Sequence, residues 1–524
     1  MHIVFPSLLI IFLGFYYSST FALYPRRKRA TQCLSSQPTN FTVIREPGRK
    51  LFDPKSIRES YKNINFALRG PIHLRSIEIR QELQRGVRKG FQDVIFSNIV
   101  DSQGTGQKPN TFLRQVLSLV SVPQLMNSSI FPSDVVQRAK ELISQMKGNT
   151  IGSMTGENGL EIVRIKVAEF ISKRDEIPVS FEDIYLTNGV SGGLELAFKL
   201  VQCKDVDVGI LTPNPLYPLY SALMTQHGLT KISYNLNPDR AWSLEVRELE
   251  RAYDNATCSC NCKVRVLVLI NPGNPTGKIL RRQNLEEIIK FAYSHNLIVF
   301  ADEIYQHNLL GDVPFLSVHK VAMEMGPPYD KVELVSFHSI SKGYTSEGGL
   351  RGGYMHLTNI DKGVHDVLHK LLTVQQCPSI VGQVGLYSLV SPPQNGEPSY
   401  DSFQREIADI SHNYKQVAKI LSTELNKVVG FNCSQPEGGP VVFTKFKIPQ
   451  KAVDEAEVQG TAPDIFYGLE LLETMGISVA VGSAFGLSPT QHYMRLSLPA
   501  KVEDIDKLVV RLKSFNQQFL EKYS

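Results

Sequence analysis

The run VRVLVLI (264–270) is apolar at six of its seven positions, and NPGNPTG follows it at once. A buried strand does not continue through two prolines and two glycines, so the chain stops and turns there. The same punctuation recurs along the middle of the sequence. DIYLT (183–187) is followed by NGVSGG and the helix-like LELAFKLV, and VDVGIL (206–211) by TPNPLYPLY. LIVFADEIY (297–305) ends in charge, and VELVSF (332–337) runs straight into HSISK. NLEEIIKFAYSHN (284–296) carries a helical period between them. Apolar strands alternating with amphipathic helices predict an α/β fold: a mostly parallel sheet sandwiched by helices. In such sheets ligands bind outside the carboxyl ends of the strands. NGVSGG, TPNPLY, NPGNPTG, DEIY and SISK are therefore expected to meet in one crevice.

At 524 residues the chain is long enough for two to four domains. The expected boundaries are a hydrophobic and basic leader at 1–29, an N-terminal arm with part of a small domain at 50–109, a large domain at 110–395, and a smaller C-terminal α+β domain at 396–524. The net charge of +5 is uneven. Arg26, Arg27, Lys28, Arg29, Arg45, Arg49 and Lys50 against Glu46 place +6 in the first fifty residues, which leaves the body near −1. No nucleic-acid face is expected, and no nucleic-acid motif is present.

From Ile3 to Leu23 no residue is charged. The stretch suits a secretory signal peptide with Thr20-Phe21-Ala22 as its cleavage site, and it is also long enough to anchor in a membrane. Any membrane association is expected through residues 3–23 alone. The basic RRKR that follows would keep the body of an uncleaved chain on the cytosolic side. A mitochondrial presequence fits worse, because spaced arginines are missing. The sequence leaves the compartment open. Four N-x-S/T sequons, at Asn40, Asn127, Asn255 and Asn432, are about a chance yield. The alternating Cys258, Cys260 and Cys262 lack paired C-x-x-C knuckles, so a redox-inert loop is expected and no metal.

In SFHSISKGYTSEGGLRGGY (336–354), Lys342 taken alone is most simply a solvated loop residue. The predicted convergence of strand ends argues otherwise, and the motifs themselves carry a resemblance. NPGNPTG, ADEIY, SISK and the downstream RGG, in this order, resemble the pyridoxal-phosphate aminotransferases of fold type I. RGPI (69–72), GQKPNTFLRQVLSL (106–119), YPLYSA (217–222), RAWSLEVREL (240–249), MEMGPPY (323–329) and the terminal EKYS resemble the alanine aminotransferase branch of that family. The resemblance runs from about residue 55 to the C-terminus.

The resemblance implies a site. Lys342 is the amine that binds the cofactor aldehyde and then moves the substrate's Cα proton. A lysine among other cations loses basicity, which suits that task. Asp302 holds the proton on the pyridine nitrogen. Tyr305 and Asn274 hydrogen-bond the cofactor's phenolate oxygen. Val190, Ser191, Ser339 and Arg351 form the phosphate cup, at a helix start and with a forked cation. Tyr217 covers the ring. Arg495 in HYMRLSLP, together with Asn274, takes the substrate carboxylate. The implied reaction is L-alanine and 2-oxoglutarate to pyruvate and L-glutamate, by a ping-pong route, in alanine catabolism and biosynthesis. The implied partners are an amino acid, a 2-oxo acid and a second copy of the chain in a homodimer.

Two positions depart from the family's pattern. Val100 in NIVD stands where a glycine is usual. Met154 in GSMTGENG replaces a tyrosine that reaches the neighbouring subunit's phosphate. Two alternatives follow: an aminotransferase with another amino donor, and an inactive cofactor-fold protein used for interaction.

Overall fold

The computed structural model describes residues 52–259 and 262–524. The hydrophobic and basic N-terminal segment, Asn40 and Cys260 lie outside the described residues. Arg58–Ser524 forms one compact unit. Residues 52–57 belong to a separate unit and contain a single 310 turn, Pro54–Ser56. Among the described residues no helix is long and apolar enough to cross a membrane.

The described strands, in chain order, are β1 Ile95–Phe96, β2 Ile184–Thr187, β3 Asp207–Asn214, β4 Thr230–Asn235, β5 Cys262–Ile270, β6 Ile298–Asp302, β7 Leu334–Ser339, β8 Gly353–Thr358, β9 Asn432–Cys433, β10 Val441–Lys445, β11 Ile477–Ser478, β12 Ala480–Val481 and β13 Tyr493–Ser497. Strands β2 to β8 form one seven-stranded sheet in the order β2-β8-β7-β6-β5-β3-β4. The pairings β4·β3, β3·β5, β5·β6 and β6·β7 are parallel, while β8 runs antiparallel between β7 and β2.

Why the sheet is covered on both faces is visible within β5. Val266 and Val268 pack with Leu194, Phe198 and Phe337 on one side. Leu267 and Leu269, pointing the other way, pack with Leu285, Ile288 and Val321. Both sets are excluded from water, so the strand reads as a continuous apolar run rather than an alternating one. The β5–β6 connection is the helix Arg282–Ser294, and the β6–β7 connection contains the helix Val318–Met325.

A smaller antiparallel sheet, β12-β13-β10-β9, packs against the helices Tyr400–Leu425, Pro463–Met475 and Glu503–Tyr523 over a core that includes Leu421, Val442, Leu472, Met494 and Leu512. The short parallel pair β1·β11 brings the chain before Asn98 alongside Ile477–Ser478.

Three local expectations are corrected. GVSGG is the first turn of the helix Gly189–Leu200, not a loop before it. The strand expected over 297–305 stops at Asp302, because the chain turns there: the Gln306 N–H bonds back to the Glu303 carbonyl. The stretch 336–354 is not all loop around Lys342: Gly353 and Tyr354 open β8, paired on both sides by β7 and β2.

Candidate active site

The strand ends Thr187, Asn214, Ile270, Asp302 and Ser339 lie at one edge of the parallel sheet, and the expected residues assemble there. At the β2 end, Gly189 has φ +77 and opens the helix Gly189–Leu200. Val190 and Ser191 occupy its first turn, where backbone N–H groups have no intrahelical acceptor. The Arg351 guanidinium donates to the Asn188 carbonyl at 2.9 Å, the Ser191 hydroxyl at 3.0 Å and the Gly348 carbonyl at 2.8 Å. Only glycines permit this approach. A Cβ at Gly189 would stand 2.6 Å from Arg351 Nη2, and one at Gly382 would stand 2.5 Å from the Arg351 carbonyl. Ser339, buried and paired with Gly353, accepts from the Ser341 N–H at 3.2 Å. Free N–H groups, hydroxyls and one forked cation make a cup suited to a small dianion.

Lys342 lies three residues beyond β7. Its Nζ donates to the Val100 carbonyl at 2.6 Å. Burial, with Arg495 and Arg351 nearby, pushes its ammonium down to about 8, while Asp101 opposes the shift. About a tenth of the amine is therefore neutral at pH 7, far more than for an ordinary lysine.

Asp302 ends β6 and is buried. It accepts from the Tyr220 hydroxyl at 2.9 Å and the Ile304 N–H at 3.3 Å. Burial outweighs these donors and raises its carboxyl to about 6. Asn274 donates to the Tyr305 hydroxyl at 3.3 Å and accepts from Arg495 at 3.0 Å. Arg495 is 1% exposed. It also donates to the Asn98 carbonyl and lies over the Phe485 ring, while its Nε has no partner. Among the described residues no carboxylate pairs with it. Burial lowers its pKa, and the phenols of Tyr305 and Tyr217 act against that shift. An unpaired buried guanidinium is expensive, and an incoming anion would offset that cost. Tyr217 feels Arg495, Asp302 and Arg351 electrostatically and meets Phe66 edge-on at 6.1 Å.

The structure thus places the ten sequence-predicted residues around the carboxyl ends of the parallel strands. Sequence reasoning missed Tyr220, Asn98 and Asp101. Tyr220 was findable: it lies one helical turn after Tyr217 in the same YPLY string. Asn98 was not, because its contribution is a backbone carbonyl. Val100 also meets Lys342 through its carbonyl, an interaction that does not depend on its side chain. Met154 is 58% exposed on the loop before the helix Glu161–Asp175.

Comparison with known proteins agrees in extent with this site. The sequence profile of the family described as aminotransferase class I and II matches residues 121–512. Alanine aminotransferase 2-like of Danio rerio is 40% identical over 480 residues, covering 91% of this chain and 87% of that protein. Alanine aminotransferase 1 of Homo sapiens is 39% identical over 468 residues, covering 88% of this chain and 94% of that protein. Among solved structures, an alanine aminotransferase from Pyrococcus furiosus superposes with a TM-score of 0.69 at 18% identity, covering 88% of this chain and 100% of that one. An aminotransferase from Escherichia coli gives 0.69 at 21% identity, covering 89% and 99%. At those identities the structural likeness speaks for the fold.

Proposed function

The chain belongs to the aminotransferase class I and II family, and on that premise we propose that it transfers the amino group of L-alanine to 2-oxoglutarate, giving pyruvate and L-glutamate, with pyridoxal phosphate as cofactor. The observation that carries the reading is Arg495. A fully buried guanidinium with an unpartnered Nε and, among the described residues, no carboxylate counterion lies beside an amine poised near pH 8. An amino acid brings the carboxylate that completes it.

The residues present fit the cofactor. Its phosphate suits the cup of Val190, Ser191, Ser339 and Arg351, whose glycine-lined entry admits no Cβ. A protonated ring nitrogen suits Asp302, whose burial penalty a cationic donor would reverse. Asn274 and Tyr305 would hold the phenolate oxygen, and Tyr217 the ring face. When bound, the cofactor supplies an aldehyde that accepts the amino group and a ring that withdraws electrons from the substrate's Cα.

The chain's own residues do the rest. Arg495, steadied by Asn274, grips the substrate carboxylate and so fixes the direction in which Cα faces. Lys342, neutral for about a tenth of the time at pH 7 and more as pH climbs towards 8, offers a lone pair for covalent attachment. With cofactor and substrate bound, its free Nζ would take the proton from Cα and return it. Asp302 would keep the ring nitrogen protonated, and Tyr220 holds its carboxylate in place. We also propose that two copies pair, and that the lobe with the seven-stranded sheet and the lobe with the antiparallel sheet correspond to residues 110–395 and 396–524.

The test is a donor panel with the purified chain. Alanine with 2-oxoglutarate is expected to give pyruvate faster than aspartate gives oxaloacetate. Turnover with another donor and none with alanine would refute the substrate assignment.

A further inference from the structure

Directly after Lys342, Gly343 has φ +71, and a Cβ there would stand 3.1 Å from His307 Cβ. Its N–H donates to the Asn308 side-chain oxygen at 2.9 Å. Asn308 is buried in the turn that leaves β6, and its own N–H bonds to the Tyr305 carbonyl at 2.8 Å. Its carbonyl accepts from the Gly439 N–H at 2.8 Å. The loop that holds Gly439 in turn donates from Glu437 and Gly438 to the Gly277 carbonyl, at 2.7 and 2.9 Å. Gly277 closes the NPGNPTG turn that carries Asn274. Asn308 therefore ties three segments together: its side-chain oxygen holds the peptide after Lys342, its backbone N–H the turn bearing Tyr305, and its carbonyl the loop that braces the turn carrying Asn274.

We propose that Asn308 is the positioning residue for Lys342: its amide oxygen pins the Lys342–Gly343 peptide, so that the lysine amine stays in the dry crevice. The inference rests on the reading of Lys342 as the reactive amine, and its test reads that amine without requiring turnover. The bond is local and buried. Without the acceptor, the Gly343 N–H must find water, and the segment loosens to admit it. A hydrated Lys342 recovers its ordinary basicity. The charged groups that face it are Arg495 on β13, Arg351 after its own loop and Asp101 in the segment after β1. His307, which packs against Gly343, is pushed down to about 4 by burial and is neutral in the range tested. None of the four is altered by the variants below.

The experiment measures the rate at which an amine-directed acylating reagent labels Lys342 as a function of pH, read by mass spectrometry of the Lys342 peptide. The protein is the full chain with bound cofactor removed. Asn308→Ala is expected to raise the labelling midpoint by about one pH unit, which is about tenfold less neutral amine at pH 7. Asn516→Ala is the control. Asn516 is equally buried and accepts from the Tyr467 hydroxyl at 3.1 Å, remote from the crevice. It is expected to lower the melting temperature and leave the midpoint where it was. Asn308→Ser, too short to reach Gly343 but able to hold a water in its place, carries the same expectation if the alanine variant does not fold. A midpoint unmoved in both Asn308 variants, or moved as far by Asn516→Ala, overturns the positioning role. If the wild-type midpoint lies near 10.5 from the start, the fault is in the reading of Lys342 itself.

Discussion

Asp302→Asn should change the pH dependence of stability in the cofactor-free protein, and its sign is opposite to the usual carboxylate effect. Asp302 is buried at the end of β6 with two neutral donors, from Tyr220 and Ile304, and no paired cation among the described residues. Its folded carboxyl sits at about 6, above the ordinary 3.8. The folded state thus holds the proton more tightly than the unfolded chain. For a group raised in this way, stability is fully present below about pH 4 and is lost as pH climbs to about 6. A rise of roughly two pH units corresponds to about 3 kcal/mol. Asparagine cannot ionise, so it escapes this loss, although its buried NH2 costs about 1–3 kcal/mol at every pH if it finds no acceptor. The difference in unfolding free energy, variant minus wild type, should therefore climb by about 3 kcal/mol between pH 4 and pH 7 and level off above. Denaturant titrations of both proteins across that range would measure it. Adding pyridoxal phosphate to wild type should flatten its slope, since a ring N–H donor stabilises the carboxylate. A difference curve flat from pH 4 to pH 7 would refute the claim that Asp302 is a buried, cation-deprived carboxylate.

Other consequences are equally open to measurement. Arg351→Ala should weaken cofactor binding by about ten- to a hundredfold in a fluorescence titration, the worth of charge-assisted hydrogen bonds to a phosphate. Gly189→Ala should do the same with no charge removed, because its Cβ would displace the Arg351 guanidinium and the residue sits at φ +77. Arg495→Lys should raise KM for alanine by about tenfold or more with a smaller change in kcat, since a lysine keeps the charge but loses the fork. Covalent attachment of pyridoxal phosphate to the cofactor-free chain should accelerate as pH rises through about 8, where Lys342 loses its proton. Lys342→Ala should abolish that attachment, as seen by mass spectrometry.

How far the sequence alone reached depends on which atoms are involved. The parallel strands were legible because burial on both faces forces unbroken apolar runs such as LVLI, and the turns because proline and glycine cannot extend them. Lys342, Asp302, Asn274, Arg351 and Arg495 were legible because each is a chemically distinctive side chain at a strand end or in a recognisable motif. The GVSGG helix start and the β8 pairing were misread, since glycine-rich strings carry little preference of their own and take the conformation that their neighbours impose. The concern over Val100 looked to its side chain, where a glycine is usual, whereas the tertiary structure gives its carbonyl the contact with Lys342.

What the sequence determined by itself is therefore the layered α/β plan and the inventory of reactive groups. Only the tertiary structure decided their chemistry. The depressed basicity of Lys342, the raised acidity range of Asp302 and the unpaired state of Arg495 come from burial, and burial is a property of the packed whole. The backbone contacts decided there too, from the Val100 and Asn98 carbonyls to the Asn308 link between three loops, because every residue carries the same carbonyl and N–H, and only the fold brings them within reach.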